Sequence, residues 1–150
     1  MKNYIFGFSL IGFILYILQL FPNIIWMLIP PTNNVLMENS SVYPILNIIE
    51  QVFGIMTVAL LILLINKGGK SNRKLYIILA ILFLAGYYAA WILYYKGMVS
   101  PWLLIIGLAA MPPLYFLFVG LWMRNYVVLI PCVVFGVTHI AITCSNYLRL

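Results

Sequence analysis

Residues 44–65 read PILNIIEQVFGIMTVALLILLI, and this stretch decides the fold class. Its only charged residue is Glu50. A helix needs about 20 predominantly apolar residues to cross the roughly 30 Å hydrocarbon core of a bilayer. The apolar residues form a continuous run, whereas a strand of a membrane barrel alternates apolar and polar positions. The stretch is therefore predicted to be a transmembrane helix.

The rest of the chain repeats this pattern. Hydrophobic residues make up 66% of the 150 residues and charged residues 7%, against roughly 25% charged in a soluble domain. This composition excludes a soluble globular protein and a disordered one. We predict an all-α integral membrane protein, a single domain over residues 1–150 with five transmembrane helices. The predicted spans are residues 3–29, 44–65, 74–95, 101–123 and 125–147.

Prolines are expected to disturb several of these spans. Pro112 and Pro113 lie in the middle of the fourth span, where they remove two backbone donors from the carbonyls of residues 108–109. Pro22 does the same to the Leu18 carbonyl and is predicted to interrupt the first span. Broken helices are tolerated in a bilayer where they border protein or a water-lined cavity.

Loop charges predict the orientation. Most basic residues fall on one side of the predicted helices if the N-terminus is cytoplasmic: Lys2, Lys67, Lys70, Arg73, Lys74 and Arg124. Lys96 and Arg149 then lie on the other side. The positive-inside rule thus predicts a cytoplasmic N-terminus and an extracytoplasmic C-terminus, with the chain spanning the plasma membrane several times. The basic loop suits anionic lipid headgroups, and no nucleic-acid-binding pattern accompanies the net charge of +6.

Glu50 and His139 are the two side chains inside the spans that titrate near neutral pH. Such groups are costly in hydrocarbon, so they face the interior of a helix bundle or a cavity and find partners. Their positions along the helices place both in the outer half, within about 5 Å of one another in depth. A hydrogen bond between them is expected if the two helices are neighbours.

Polar and small residues recur at three- and four-residue steps on the first, second and fifth spans, so they form stripes. Such stripes face other helices, either as packing surfaces or as the walls of a polar pocket. The second interpretation gives these candidate ligand-binding residues: Gln19, Asn23, Trp26, Asn47, Glu50, Gln51, Tyr87, Trp91, Pro112, Tyr115, His139 and Thr143.

The sequence lacks the residues and motifs that several kinds of chemistry require. The chain contains no aspartate, no phosphate-binding glycine loop and only one histidine, which argues against nucleotide hydrolysis and haem ligation. Cys132 and Cys144 are predicted to lie about 18 Å apart on one helix, too far for a disulfide. No cluster has metal-ligand spacing, so neither a metal nor a cofactor is expected.

Three functions remain open. The first is binding or transport of a small apolar or weakly basic ligand, held by Glu50 and by aromatic side chains. The second is a non-catalytic membrane subunit or immunity-type protein whose stripes bind partner helices. The third is a membrane-embedded isomerase or transferase in which Glu50 and His139 form the catalytic acid/base pair. The expected partners are membrane lipids, a small-molecule ligand, and a second copy of the chain or another membrane subunit.

Overall fold

A computed structural model describes residues 3–148, and five of its helices are long and apolar enough to cross a membrane. This confirms the predicted helical class. Lys2 and Arg149, which entered the orientation prediction, lie outside the described residues. The elements in chain order are β1 (Tyr4–Phe6), α1 (Leu10–Leu28), α2 (Pro44–Leu63), β2 (Leu64–Asn66), α3 (Lys74–Tyr95), a π-helical segment (Leu103–Ala110) that continues into α4 (Met111–Trp122), and α5 (Leu129–Tyr147), with single 3₁₀ turns at Val35–Glu38 and Tyr126–Val128.

The start of the first predicted span is wrong, because residues 3–9 are not helical. β1 pairs antiparallel with β2, and β2 also ends α2 at Leu63 rather than at Ile65. The Ser9 hydroxyl accepts the backbone N–H of Gly12 (3.1 Å) and so begins α1. Backbone groups beyond the ends of helices still need partners, and the two short strands supply them to each other.

The five helices form a closed ring. α1 packs against α2 and α3, α2 packs against α5, and α4 with its π-helical segment lies between α3 and α5. The outward faces carry large exposed apolar side chains such as Ile55 and Ile81, which are 70% and 58% exposed. An exterior of this kind is typical of helices that face lipid.

Small residues allow close approach within the ring. A Cβ at Gly107 would clash with Ala90, and a Cβ at Gly86 would clash with Met111. The Gly86 and Ala90 pair on α3 therefore faces the fourth helix of the same chain. Close contact through small residues is a common way for membrane helices to associate.

α1 is continuous through Pro22, so the predicted interruption is wrong. The Leu18 carbonyl, which the proline deprives of its helical donor, accepts the Tyr88 hydroxyl at 2.6 Å. Two further tyrosine hydroxyls donate to α1 and to the residue after it: Tyr115 to the Leu15 carbonyl and Tyr95 to the Ile29 carbonyl, both at 2.8 Å. Tyrosines of neighbouring helices thus satisfy the backbone of α1.

One end of the bundle, which we call the basic end, comprises residues 64–73 and 122–126. Arg124 adopts a left-handed conformation (φ 53°) in the tight turn between α4 and α5. The next residue, Asn125, is 1% exposed, and its amide donates to the carbonyls of Leu60 (2.8 Å) and Leu64 (2.9 Å). Side-chain hydrogen bonds therefore hold the start of α5 to the end of α2.

Candidate ligand-binding site

Glu50 and His139 lie side by side, as the sequence led us to expect if their helices were neighbours. The Glu50 Oε1 contacts the His139 Nδ1, and the two side chains are 19% and 24% exposed. α2 and α5 pack closely enough for Gly54 to lie against the Phe135 ring. The small residue on α2 lets α5 approach and brings the carboxylate within reach of the imidazole.

The contact orients the imidazole through Nδ1. In the tautomer whose Nδ1–H donates to the carboxylate, Nε2 is the proton acceptor of the ring. Within residues 3–148, Nε2 makes no hydrogen bond. The Phe135 ring stacks on the imidazole at 5.3 Å between centroids. The pair is therefore an oriented carboxylate and imidazole with one ring nitrogen unused.

A cavity of about 300 Å³ lies in the centre of the ring and receives side chains from every helix. Nine of the twelve candidate residues line it: Gln19, Asn23, Trp26, Glu50, Tyr87, Trp91, Pro112, His139 and Thr143. Helices that are far apart in sequence thus contribute polar and aromatic groups to one shared volume.

The other three candidate residues lie elsewhere. Asn47 exchanges two hydrogen bonds with the Ser41 backbone, at 2.8 and 2.9 Å, and so stabilises the connection before α2. Gln51 is exposed and lines a groove outside the cavity. Tyr115 is 2% exposed and donates to the Leu15 carbonyl within the core. Helical spacing alone did not distinguish these positions from the cavity wall.

One buried donor in the cavity wall lacks a partner. Gln19 is 7% exposed, and its side chain lies beside the Tyr87 hydroxyl. Trp91 is 5% exposed, and its Nε1 has no acceptor in the described part of the chain. By contrast, the Asn23 amide donates to the Tyr87 hydroxyl at 2.8 Å. Native proteins rarely leave buried donors unpaired unless water, an ion or a ligand completes them.

The connection between α1 and α2, residues 30–43, covers the end of the cavity, and we call it the strap. Asn34 Oδ1 accepts the Trp26 indole N–H at 2.7 Å and the Tyr94 hydroxyl at 3.2 Å. The Val35 carbonyl accepts the Tyr147 hydroxyl at 2.6 Å. Three helices therefore anchor the strap.

Two strap residues, Leu36 and Asn39, line the cavity but were not among the candidates. The Asn39 amide donates to the Thr143 hydroxyl (3.1 Å) and its oxygen accepts the Asn146 amide (2.9 Å). Spacing along a helix carries no signal for residues of a loop, so the sequence pattern missed them.

Sequence reasoning also missed four other wall residues. Phe135 is on α5, and the π-helical segment contributes Leu104, Leu108 and Ala109. Pro112 and Pro113 cannot donate, so two carbonyls lose their helical partners. In an α-helical register these belong to Leu108 and Ala109, and in a π-helical register to Gly107 and Leu108. The Leu108 carbonyl lacks a helical donor in both registers. The double proline was the sequence signal for this backbone acceptor.

The described residues contain no group of three or more His, Cys, Asp or Glu side chains that would hold a metal ion. Cys132 and Cys144 are both free and both on α5. No protein-family model, curated protein or solved structure matches the chain. The functional interpretation therefore rests on the geometry of the cavity.

Proposed function

We propose that this chain is a multi-pass protein of the plasma membrane that binds or transports a small apolar or weakly basic ligand. The ligand occupies the central cavity. The observation that carries the proposal is the central volume in which a carboxylate–imidazole pair and one unpaired buried donor, the Trp91 indole N–H, meet aromatic side chains. An apolar pocket with a few convergent polar groups is the usual form of a small-molecule site.

The cavity chemistry supports a weakly basic ligand. Glu50 uses Oε1 for His139, so Oε2 remains available to accept an N–H from an ammonium group. Trp26 and Trp91 lie 6.3 Å apart between ring centroids in the same wall. Their faces attract a cation and also pack against the apolar body of a ligand. A volume of about 300 Å³ suits a molecule with one or two rings.

The orientation predicted from loop charge gives the cavity a direction. If the basic end faces the cytoplasm, the N-terminus is cytoplasmic, the C-terminus is extracytoplasmic and the strap lies on the outer surface. Glu50 then lies within α2, six residues inward from the outer end of the helix, at a depth of about 9 Å. The cavity is therefore proposed to occupy the outer half of the bilayer.

The polar stripes favour ligand binding over a partner subunit. Gln19 and Asn23 of α1 and His139 and Thr143 of α5 all line the cavity. Side chains that meet inside one chain are not available on its outer surface to bind the helices of another protein.

The two carboxylates of the chain provide the test, because Glu38 lies in the exposed strap and serves as a matched control. Replacing Trp102 and Trp122 by Phe leaves Trp26 and Trp91 as fluorescent reporters in the cavity wall. In lipid nanodiscs, Glu50→Gln should weaken binding of benzylamine about tenfold or more, since a hydrogen bond to a charged group contributes about 1.5–3 kcal/mol. Glu38→Gln should leave binding unchanged. Equal affinity in both variants would contradict the proposal.

A second function is favoured by the Nδ1 contact. Because Glu50 orients the imidazole through Nδ1, Nε2 is placed to take a proton from a substrate in the cavity and return it at another carbon. This describes a membrane-embedded isomerase. Incubation with membrane lipid extract in deuterated water should then incorporate deuterium into one lipid-soluble compound, and His139→Ala should abolish that incorporation. Its absence in the unmodified protein would exclude this function.

A further inference from the structure

A second volume, about 570 Å³, forms a groove between α1 and α2 on the outside of the ring. Its wall is mostly apolar, and two of its residues, Glu50 and Phe135, also line the central cavity. The residues of this groove are Tyr16, Glu50, Gln51, Gly54, Ile55, Val58, Ala59 and Phe135. The carboxylate therefore stands at the junction of the central cavity and this outer groove.

The two interfaces of α1 differ in how they are held. Hydroxyls of Tyr87, Tyr88 and Tyr95 on α3 each share a hydrogen bond with α1 or the residue after it. Between α1 and α2 no side-chain hydrogen bond occurs within residues 3–148. Backbone bonds from Gly7 to the Leu63 carbonyl (3.0 Å) and from Ser9 to the Ile62 carbonyl (2.7 Å) join the residues before α1 to the end of α2, near the basic end. Beside the groove, α1 and α2 can therefore separate without breaking a side-chain hydrogen bond.

Charge distinguishes this groove from the one on the other side of α1. The α1–α3 groove, about 360 Å³, shares Trp91 with the cavity but carries Lys96 in its wall. A lysine ammonium repels an amine ligand, whereas Glu50 attracts it. The strap, anchored to three helices, covers the end of the cavity. The α1–α2 groove is the route with a favourable charge and no hydrogen bond to break.

We infer that the ligand is a single-chain amphiphile dissolved in the bilayer, and that it enters the cavity sideways between α1 and α2. Its amine head lies at Glu50, and its unbranched alkyl chain lies in the groove along Ile55, Val58 and Ala59. Gln51, beside Glu50, offers the amide that a polar group meets first. This inference rests on the proposed function, since it identifies the ligand class of the same cavity.

The test compares the binding of two amines to variants substituted at two alanine positions. Dodecylamine carries the chain, and benzylamine presents an amine without one. Ala59 lies in the groove, whereas Ala89 is exposed on α3 and lines neither volume. Affinities are measured by the Trp26 and Trp91 fluorescence in nanodiscs and expressed as mole fractions in the bilayer, so that partition into lipid is removed.

Ala59→Phe places an aromatic ring in the volume that the alkyl chain occupies, and it should weaken dodecylamine binding about tenfold. Benzylamine binding to this variant should stay within about twofold of the unmodified protein, which also reports that the cavity is folded. Ala89→Phe should change neither affinity. Ile55→Phe, at the exposed rim of the groove, should weaken dodecylamine in the same direction.

Two results would overturn the inference. If Ala59→Phe leaves dodecylamine binding unchanged, or weakens both amines equally, the chain does not lie in the groove, although benzylamine binding to the unmodified protein still supports the proposed function. If neither amine binds to the unmodified protein, the proposed function fails together with the inference.

Discussion

Asn125 at the basic end and Gln19 in the cavity wall are both buried amide side chains, and they contact different groups. The Asn125 amide nitrogen donates to two backbone carbonyls of the α2–β2 junction, Leu60 and Leu64, while its Oδ1 has no partner in the described part of the chain. The Gln19 side chain is 7% exposed, lies beside the Tyr87 hydroxyl and donates to no backbone carbonyl within residues 3–148. The difference separates an amide that holds two backbone segments together from an amide that lines the cavity.

The same contrast extends to the two ends of the bundle. At the basic end, the Tyr4 hydroxyl and the Asn66 amide both donate to the Arg124 carbonyl, so side chains complete backbone groups beyond the helix ends. In the cavity, Glu50 and Trp91 retain unused hydrogen-bonding capacity. Removing a polar group should therefore cost stability at one end and ligand binding at the other.

The largest effect on stability is expected for Asn125→Leu. The substitution leaves the Leu60 and Leu64 carbonyls without their side-chain donor in a buried site, and we expect a loss of about 2 kcal/mol in the free energy of unfolding. Titration with sodium dodecyl sulfate, followed by circular dichroism, measures this loss. Asn72→Leu, in the exposed loop of the same end, is the control and should change stability little. If Asn125→Leu lowers the free energy of unfolding by less than Asn72→Leu does, the contrast between the two ends of the bundle is wrong.

An intermediate effect is expected for Tyr88→Phe, which leaves the Leu18 carbonyl unpaired and should cost about 1 kcal/mol. Pro22→Ala restores a helical N–H for the same carbonyl. In that background the loss of the Tyr88 hydroxyl should cost clearly less, so the two substitutions are coupled in a double-mutant cycle. Tyr43→Phe, at an exposed tyrosine, is the control for removal of a hydroxyl. Additive costs would show that Tyr88 does not replace the missing donor.

The smallest effect on stability is expected for Gln19→Leu. Because the amide donates to no backbone carbonyl, its replacement by an apolar side chain of similar size should leave the free energy of unfolding within about 0.5 kcal/mol, or raise it. Benzylamine affinity should nevertheless fall, since the cavity loses a polar group. A stability loss as large as that of Asn125→Leu would show that Gln19 is a structural residue and would end the comparison.

The helices themselves were largely predictable. Long apolar runs separated by charged loops place α3 at residues 74–95, as observed, since burial in hydrocarbon requires both length and apolarity. Glu50 and His139 were also predictable as inward-facing, because their exposure to lipid tails is costly. Much of the cavity wall followed from the same rule, applied to polar groups at helical spacing.

Contacts between distant segments were not predictable. The pairing of β1 with β2 joins residues about 60 positions apart, and nothing in either short stretch signals the other. Pro22 was expected to break α1, because the sequence does not show that a tyrosine of another helix donates to the Leu18 carbonyl. Asn39 lies in a loop, where no periodicity indicates which side chain faces inward. Each case depends on tertiary neighbours that a single sequence does not show.

The tyrosine bonds to α1 bear on the order in which the protein is assembled during synthesis. α1 is synthesised before α3, yet the hydroxyl that completes its Leu18 carbonyl belongs to residue 88 and follows two helices later. Until α3 has been inserted, this carbonyl has no donor within the hydrocarbon of the bilayer, which is costly. α1 is therefore expected to reach its final position only after α3 has been inserted.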